Sequence, residues 1–183
     1  MLRSHWLARL NSKSDHPLIA GKPWSTYEIT LALHSNDQDA ILKEILPERG
    51  EEQIDWATFQ HYSIPLWFKN PIKLADLTNT LANNEFNLKN APAGKDVAPD
   101  QANHVAIWFI ALNKLSKLAK FYQIENNDKL AKFMVSDFSK TKVIRQSERN
   151  AFILKGQKRY TLSAGFFILG NKLDDAIHVL LRD

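Results

Sequence analysis

The placement of proline is the feature of this chain that most constrains its fold. All seven prolines lie at or before Pro99, so nothing in residues 100–183 has to interrupt a helix. Apolar side chains recur there at offsets of 0, 3, 4, 7 and 10, a helical spacing, at Val105, Trp108, Phe109, Leu112 and Leu115. No stretch of the sequence alternates with period two for long enough to be a convincing strand. The sequence therefore predicts an all-α fold.

Helix lengths and linkers predict the architecture. Helices of roughly 10 to 16 residues joined by short turns stack as antiparallel neighbours, so we expect stacked helical hairpins in an α-solenoid-like array. The stretch 88–99, LKNAPAGKDVAP, has two prolines and a glycine and is the clearest linker. It divides an N-terminal helical part, 1–87, from a C-terminal helical part, 100–183. One continuous solenoid stays open as an alternative.

Local signals in the N-terminal part predict the helix boundaries. Helices are expected over 2–10, 27–33 and 37–46, followed by an acidic connector at 48–53. The apolar segment 54–70 should be helical with a kink at Pro65, and Asn70-Pro71 should open the next helix.

In the C-terminal part, the periodic pattern runs through Leu115 as a single helix face, with lysines along another face. Further helices are expected over 128–138 and 141–155, the latter ended by Gly156 as a C-terminal cap. The last helix should present one apolar face made of Leu173, Ala176, Ile177, Leu180 and Leu181.

Charge is distributed unevenly along the chain. Residues 1–100 carry 10 Lys+Arg against 13 Asp+Glu, whereas residues 101–183 carry 14 against 7. The C-terminal half is therefore a candidate contact surface for an acidic partner. The chain has no cysteine, which excludes disulfides and thiolate sites and fits the cytosol. The short apolar stretch near the first residue is broken by Arg9 and is not expected to act as a signal peptide, and no apolar run is long enough to predict a membrane span.

Candidates for chemistry are weak. None of the six histidines stands in a metal-binding pattern: His5, His16, His34, His61, His104 and His178. Asp174 and His178, four residues apart, supply too few ligands for a metal and are interpreted as a solvated helix face.

The remaining polar clusters also lack a catalytic pattern. Glu51, Glu52 and Asp55 fall in a polar connector that cannot desolvate them. Ser163 lacks the strand and glycines of a nucleophile elbow, and no glycine-rich phosphate loop is present. We therefore expect no enzyme, no cofactor and no metal.

Nucleic-acid binding is an alternative because lysines alternate with aromatic residues, namely Trp108, Phe109, Phe121 and Tyr122. Trp108 and Phe109 share the apolar face of Val105 and Leu112, which favours burial over base stacking. The hypothesis is therefore the weaker one.

Three segments resemble the C-terminal domain of the large RAVE subunit and its DmX and rabconnectin relatives. The longest similarity comprises Asn150-Ala151-Phe152, Lys155-Gly156, Arg159-Tyr160, Ala164, Phe166-Phe167, Leu173, Asp175-Ala176-Ile177 and Val179. The run WFIALNK at 108–114 and the run DWATF at 55–59, with Ile64 and Trp67, are similar to two further family segments. Large members of this family are much longer chains with N-terminal β-propellers.

The resemblance implies a non-catalytic scaffold segment that promotes reassembly of the vacuolar-type proton ATPase. Implied partners are the peripheral-sector subunits of that ATPase, a Rogdi-like subunit and a Skp-type adaptor. The implied location is the cytosolic face of vacuole and endosome membranes. A general helical interaction module in vesicle trafficking remains an alternative.

Two sets of residues are expected to matter under this interpretation. Candidate contacts with acidic partners are Lys114, Lys117, Lys120, Lys129, Lys132, Lys158 and Arg159. The structural signature consists of Asn150, Phe152, Gly156, Tyr160, Ala164, Phe166, Phe167, Asp175 and Ala176.

Overall fold

A computed structural model describes residues 23–46, 54–89 and 101–181 of the chain. These ranges contain eleven helices and no strand, which confirms the all-α prediction. The chain divides into two compact units, Met1–Glu85 and Phe86–Asp183. The helix expected over 2–10, the connector at 48–53 and nearly all of the linker at 88–99 lie outside the described residues, so the predicted domain boundaries stay a prediction.

The first helices are α1 (Thr26–Leu33), α2 (Gln38–Ile45), α3 (Trp56–His61), α4 (Ile64–Trp67) and α5 (Pro71–Lys89). The second group comprises α6 (Gln101–Ala111), α7 (Leu115–Ile124), α8 (Asp128–Met134), α9 (Thr141–Gly156), α10 (Tyr160–Leu169) and α11 (Leu173–Leu180).

Side-chain caps explain where the first helices begin. Ser25 and Glu28 form a capping box ahead of α1, in which Ser25 N donates to Glu28 Oε2 at 2.7 Å. Asp37 accepts from Ala40 N at 2.9 Å ahead of α2, and Asp55 accepts from Thr58 N at 2.8 Å ahead of α3. Each cap satisfies a backbone N–H that has no partner within its helix.

The apolar segment 54–70 is broken earlier than the sequence predicts. We expected a kink at Pro65, but α3 ends at His61 and Ser63 adopts a left-handed conformation with φ of 49°. Pro65 lies in the first turn of α4, where its missing N–H costs no helical bond. The break is therefore a turn between two short helices.

A tryptophan cluster forms the centre of the first unit. Trp24 packs edge-on against Tyr62, with ring centroids 5.2 Å apart, and lies 5.8 Å from the buried Trp67. Gln38 joins the helix ends around this cluster, because its Nε2 donates to Trp67 O at 2.6 Å and its Oε1 accepts from Lys69 N at 2.8 Å. Such bonds satisfy carbonyls and N–H groups at helix ends.

Helix α10 is the centre of the second unit. Its segment Leu162 to Phe167 is buried on every side, and the helix packs against α6, α9 and α11. Gly165 permits the approach to α6, since a Cβ at this position would lie 2.9 Å from Ile110 Cδ1. Ser163 Oγ donates to Ala151 O at 2.8 Å and connects α10 to α9.

Four turns in the second unit share one geometry. The left-handed residues are Asn113, Asn126, Lys158 and Asn171, with φ between 53° and 60°. At each, the N–H of the left-handed residue and that of the next residue bond back across the helix end, as Asn113 N to Ile110 O and Lys114 N to Phe109 O do. This pattern is the Schellman motif, and it satisfies carbonyls that the helix leaves open.

These turns belong to an internal repeat of 45 residues. Asn113 and Lys158 are 45 positions apart, as are Asn126 and Asn171. The same offset aligns identical pairs at Ala119 and Ala164, Phe121 and Phe166, and Ala131 and Ala176. The helices α6, α7 and α8 thus correspond to α9, α10 and α11. Consecutive helices within each set pack on one another, which confirms the predicted helical hairpins.

The repeat turns account for a wrong helix prediction. The pattern from Val105 to Leu115 was interpreted as a single helix face, yet α6 ends at Ala111 and Leu115 begins α7. Asn113 reverses the chain between them.

Other boundaries also differ. The helix expected over 128–138 ends at Met134. Gly156 is not a left-handed cap: it is the last residue of α9, and Lys158 takes the left-handed conformation. The face predicted for α11 is divided, because Ala176 is buried together with Val179 while Leu173, Ile177, Leu180 and Leu181 are exposed.

Candidate partner-binding surfaces

The predicted lysine stripe lies at the start of α7 and along it. Lys120 is exposed, whereas Lys114 and Lys117 are half-buried. The ammonium group of Lys117 lies 5.6 Å above the centroid of the Phe109 ring. Burial, with a smaller contribution from the charge of Lys114, lowers the pKa of Lys117. Lys117 is thus partly a packing residue, and Lys120 is the member of the stripe most accessible to a partner.

Two further predicted contacts lie on α8. Lys129 and Lys132 are both exposed and are separated by about one helical turn. Asn127 caps this helix by accepting a hydrogen bond from Leu130 N at 3.3 Å. The short helix packs against α7, so the three lysines of the stripe and the two lysines of α8 all belong to the first half of the repeat.

Lys158 and Arg159 form the turn between α9 and α10. Both side chains are exposed, and Lys158 is the left-handed residue. Their repeat partners are Asn113 and Lys114. The predicted basic contacts therefore lie on three elements: α7, α8 and the turn before α10.

Most of the predicted structural signature lies in or around α10. Ala164, Phe166, Phe167 and Ala176 are buried. Phe166 stacks on Phe133 with ring centroids 5.6 Å apart, and Phe152 packs edge-on against Phe167 at 5.0 Å.

The other signature residues are less enclosed. Asn150 and Tyr160 are half-buried, and Asp175 is exposed in the first turn of α11. No atom would lie within 4 Å of a Cβ at Gly156, so this glycine is not required for packing.

The aromatic residues proposed for base stacking are mostly enclosed. Phe109 and Tyr122 are fully buried, and Tyr122 Oη donates to Asn103 Oδ1 at 2.9 Å. Phe121 stacks face to face on Phe86 at 3.8 Å and meets Phe109 edge-on at 5.3 Å. These rings hold helices together and do not form the open platform that single-stranded nucleic acid needs.

The polar residues considered as candidates for chemistry either stabilise helices or are exposed to solvent. Asp55 caps α3, and the hydroxyl of Ser163 binds a helix carbonyl. Asp174 and His178 are exposed on α11. Within residues 23–46, 54–89 and 101–181, no three His, Asp or Glu side chains are grouped as metal ligands.

Sequence reasoning missed a second basic surface, on α9. Lys142, Arg145 and Arg149 are exposed on one side of this helix and line a groove of about 540 Å³ together with Thr141 and Gln146. Their spacing of three and four residues is the signal that could have identified them.

None of the described helices has the length and apolar content needed to cross a membrane. The fold and these surfaces define an all-α helical-repeat protein whose second unit carries exposed basic helix faces. The chain belongs to the RAVE protein 1 C terminal family, whose model matches residues 1–183, and the resemblance seen in the sequence is thereby confirmed.

Named relatives agree with this assignment. The chain is 27% identical to DmX-like protein 1 of Homo sapiens over 158 residues, which is 86% of this chain and 5% of that protein. It is 25% identical, over 86% of its length, to "Regulator of V-ATPase in vacuolar membrane protein 1" of Schizosaccharomyces pombe and covers 12% of that protein. The protein of the same name in Saccharomyces cerevisiae is 26% identical over 85% of this chain, and 11% of it is covered. The chain therefore spans about an eighth or less of the relatives it matches.

Proposed function

We propose that this chain is a non-catalytic scaffold segment of a RAVE-type complex and promotes reassembly of the vacuolar-type proton ATPase through protein–protein contacts. The observation that carries the proposal is the family match along the whole chain, since relatives in two yeasts are named as regulators of that ATPase in the vacuolar membrane. A repeat of helical hairpins supports it, because such repeats offer extended surface for partners.

The basic helix faces are the proposed contacts with the ATPase. Lys120, Lys129 and Lys132 are exposed and can meet acidic surfaces of its peripheral-sector subunits. Lys114, Lys158 and Arg159 would extend this contact, whereas Lys117 would act mainly through its packing on Phe109. A Rogdi-like subunit and a Skp-type adaptor are the other proposed partners. Recruitment would occur through them at the cytosolic face of vacuole and endosome membranes.

The test is charge reversal in the full-length protein that contains this segment. Lys129→Glu with Lys132→Glu should reduce recovery of peripheral-sector subunits in co-purification and slow vacuolar acidification after the ATPase has been dissociated. Reversal of exposed rim charges mainly slows association, and because salt screens exposed charges, the loss should be greater at low salt than at high salt. Lys117 is left unchanged because a half-buried glutamate at this position would disturb folding.

A matched control is available in the first unit. Lys43 and Lys69 are also exposed, and Lys43→Glu with Lys69→Glu makes the same change in net charge. Equal losses in the two double variants would contradict a contact on α8. Recovery of coat or tethering proteins without any ATPase subunit would favour the alternative of a trafficking module.

A further inference from the structure

The outer face of α9 carries three cations that pair with no carboxylate among the described residues. In the part of the chain that the structure describes, no ion pair or hydrogen bond joins the side chains of Lys142, Arg145 or Arg149 to another residue. All three are exposed and line the groove along the helix. Arginine is suited to such a site because its planar guanidinium can bind a carboxylate through two parallel hydrogen bonds.

The positive charge of Lys142 lies in the first turn of α9, where the helix dipole disfavours cations. Helix α9 has no acidic residue in its first turn, although the positive end of the helix dipole favours anions there. Lys140 occupies the N-cap and Lys142 follows in the first turn. Asp137 Oδ2 lies 3.6 Å from Lys140 Nζ, whereas Lys142 has no such partner among the described residues, so a bound anionic partner would offset its charge.

The same face becomes apolar toward the end of the helix. Phe152 and Ile153 follow Arg149 on the exposed side, and their side chains are 52% and 59% exposed. Phe152 is held in place by its edge-on contact with Phe167. The surface is thus basic in its first half and apolar in its second half.

The internal repeat shows what packs at the position that corresponds to Phe152. The residues of α6 that match Phe152 and Lys155 at the 45-residue offset are Ile107 and Ile110. Helix α10 packs on this side of α6, and a Cβ at Gly165 would lie 3.8 Å from Ile107 Cα. In the first half of the repeat, this position is therefore covered by a helix, α10, which approaches closely because Gly165 has no side chain.

We propose that the outer face of α9 binds an acidic amphipathic helix of a partner protein. Its carboxylates would face Lys142, Arg145 and Arg149, and a small residue followed by a large apolar one would lie against Phe152 and Ile153. This surface is separate from the lysines of α7 and α8, and its existence does not depend on the proposed role in ATPase assembly.

Two other occupants fit less well. Three cations alone hold a protein only weakly to an anionic membrane. A second copy would bring together two halves with 14 Lys+Arg and 7 Asp+Glu each in residues 101–183, which repel one another.

The experiment uses the whole chain and a labelled synthetic helix as long as α9, 16 residues. One peptide carries glutamates along one face, followed on that face by alanine and leucine; a second has the same composition in scrambled order. Binding is measured by fluorescence anisotropy. We expect the patterned peptide to bind, and Arg145→Glu with Arg149→Glu, or Phe152→Ser, to weaken binding by at least about tenfold.

Controls separate this surface from general attraction of charge. Lys43→Glu with Lys69→Glu, which makes the same change in net charge, should leave the affinity within about twofold, because surface substitutions away from the contact are near neutral. Circular dichroism checks the fold of every variant: the charge reversals change exposed side chains, whereas Phe152→Ser also removes the edge-on contact with Phe167 and is used only if helix content is unchanged. Equal binding of the scrambled peptide, or an equal loss in the control variant, overturns the proposal.

Two further measurements report the other occupants. Vesicles of phosphatidylcholine and phosphatidylserine test the membrane: binding lost on Arg145→Glu with Arg149→Glu, with the peptide unaffected, overturns the proposal. Sedimentation tests the second copy: a dimer that the same variant dissociates, again with the peptide unaffected, also overturns it.

Discussion

At the scale of single residues, Lys158 holds a position that asparagine holds in the three matching turns. All four residues have left-handed backbone angles, which cost most residues roughly 1–2 kcal/mol and asparagine less, because its short side chain tolerates this conformation. Lys158 is exposed, so no packing offsets this cost. The turn between α9 and α10 is therefore less stable than its repeat partner at Asn113.

An exchange of turn residues tests this conclusion. Lys158→Asn should raise the free energy of unfolding by about 0.5 kcal/mol, and Asn171→Lys should lower it by a similar amount. Urea denaturation followed by circular dichroism measures both. Since both residues are exposed, changes of the same sign in the two variants would contradict a backbone origin.

Tyr62 gives a prediction about alkaline pH. Burial raises the pKa of Tyr62 above its ordinary value of 10.0, because the phenolate loses solvation beside Trp24. The folded state therefore binds the phenolic proton more tightly than the unfolded state does. The resulting stability is fully present below pH 10 and is lost as the pH rises through the folded pKa.

Tyr62→Phe isolates this contribution. The wild-type chain should lose stability relative to the variant between pH 9 and 11, because phenylalanine has no proton to release. Urea denaturation of both proteins across this pH range measures the difference. A difference that does not change with pH would show that the phenol ionises equally well in both states.

At the scale of helices, two glycines that look alike in sequence have different roles. Gly165 lies where α10 crosses α6, and Gly156 lies at the open end of α9. Gly165→Val would place methyl groups against Ile110 and the backbone of Ile107, and should destabilise the chain by about 1–3 kcal/mol. Gly156→Val should change stability by no more than about 0.5 kcal/mol, because only helix propensity is affected.

Thermal unfolding of both variants checks this contrast. If Gly156→Val destabilised the chain as much as Gly165→Val, helix propensity rather than the close approach of α10 to α6 would be responsible. Gly165→Val combined with Ile110→Ala should recover part of the loss, since the contact atom Ile110 Cδ1 is removed.

Helix class and some core faces, though not that of α11, were predictable from this sequence, whereas the turns were not predicted. The period of 3.6 residues identified helices because burial of one face requires it, as for Val105 and Phe109. The turn at Asn113 has neither glycine nor proline, so the apolar pattern continued through it. The internal repeat, with asparagine recurring at Asn126 and Asn171, was the signal that would have revealed the turns.

The candidate contacts were predictable to a similar degree. Spacing along α7 identified Lys114, Lys117 and Lys120, but the packing of Lys117 on Phe109 depends on how α6 and α7 meet. The spacing of Lys142, Arg145 and Arg149 places them on one side of a helix, but only the structure shows that this side is exposed. Periodicity in the sequence assigns residues to the faces of one helix. Whether a face is exposed to a partner depends on how the helices pack together.

At the scale of the whole molecule, the division into two units falls within a single helix. Residues on either side of this division belong to α5, which runs from Pro71 to Lys89. Leu77 and Leu81 enter the core of the first unit with Trp67. Phe86 is buried against Phe121 in the second unit. One helix therefore contributes core residues to both units, and substitutions a few residues apart should affect different parts of the chain.

The final prediction concerns these two core positions. Leu81→Ala should destabilise the first unit by about 2–5 kcal/mol, and Phe86→Ala should destabilise the second by about 3–5 kcal/mol, because each leaves a cavity where the side chain was. Native-state hydrogen exchange resolves the effects by residue. We expect Leu81→Ala to lower protection in α1 to α4 and Phe86→Ala to lower it in α6 and α7. Phe86 stacks on Phe121, which belongs to the second unit. Loss of protection in α1 to α4 on Phe86→Ala would therefore mean that the two units unfold as one cooperative body. That result would also set the shortest segment suitable for binding experiments, since neither unit could then be studied alone.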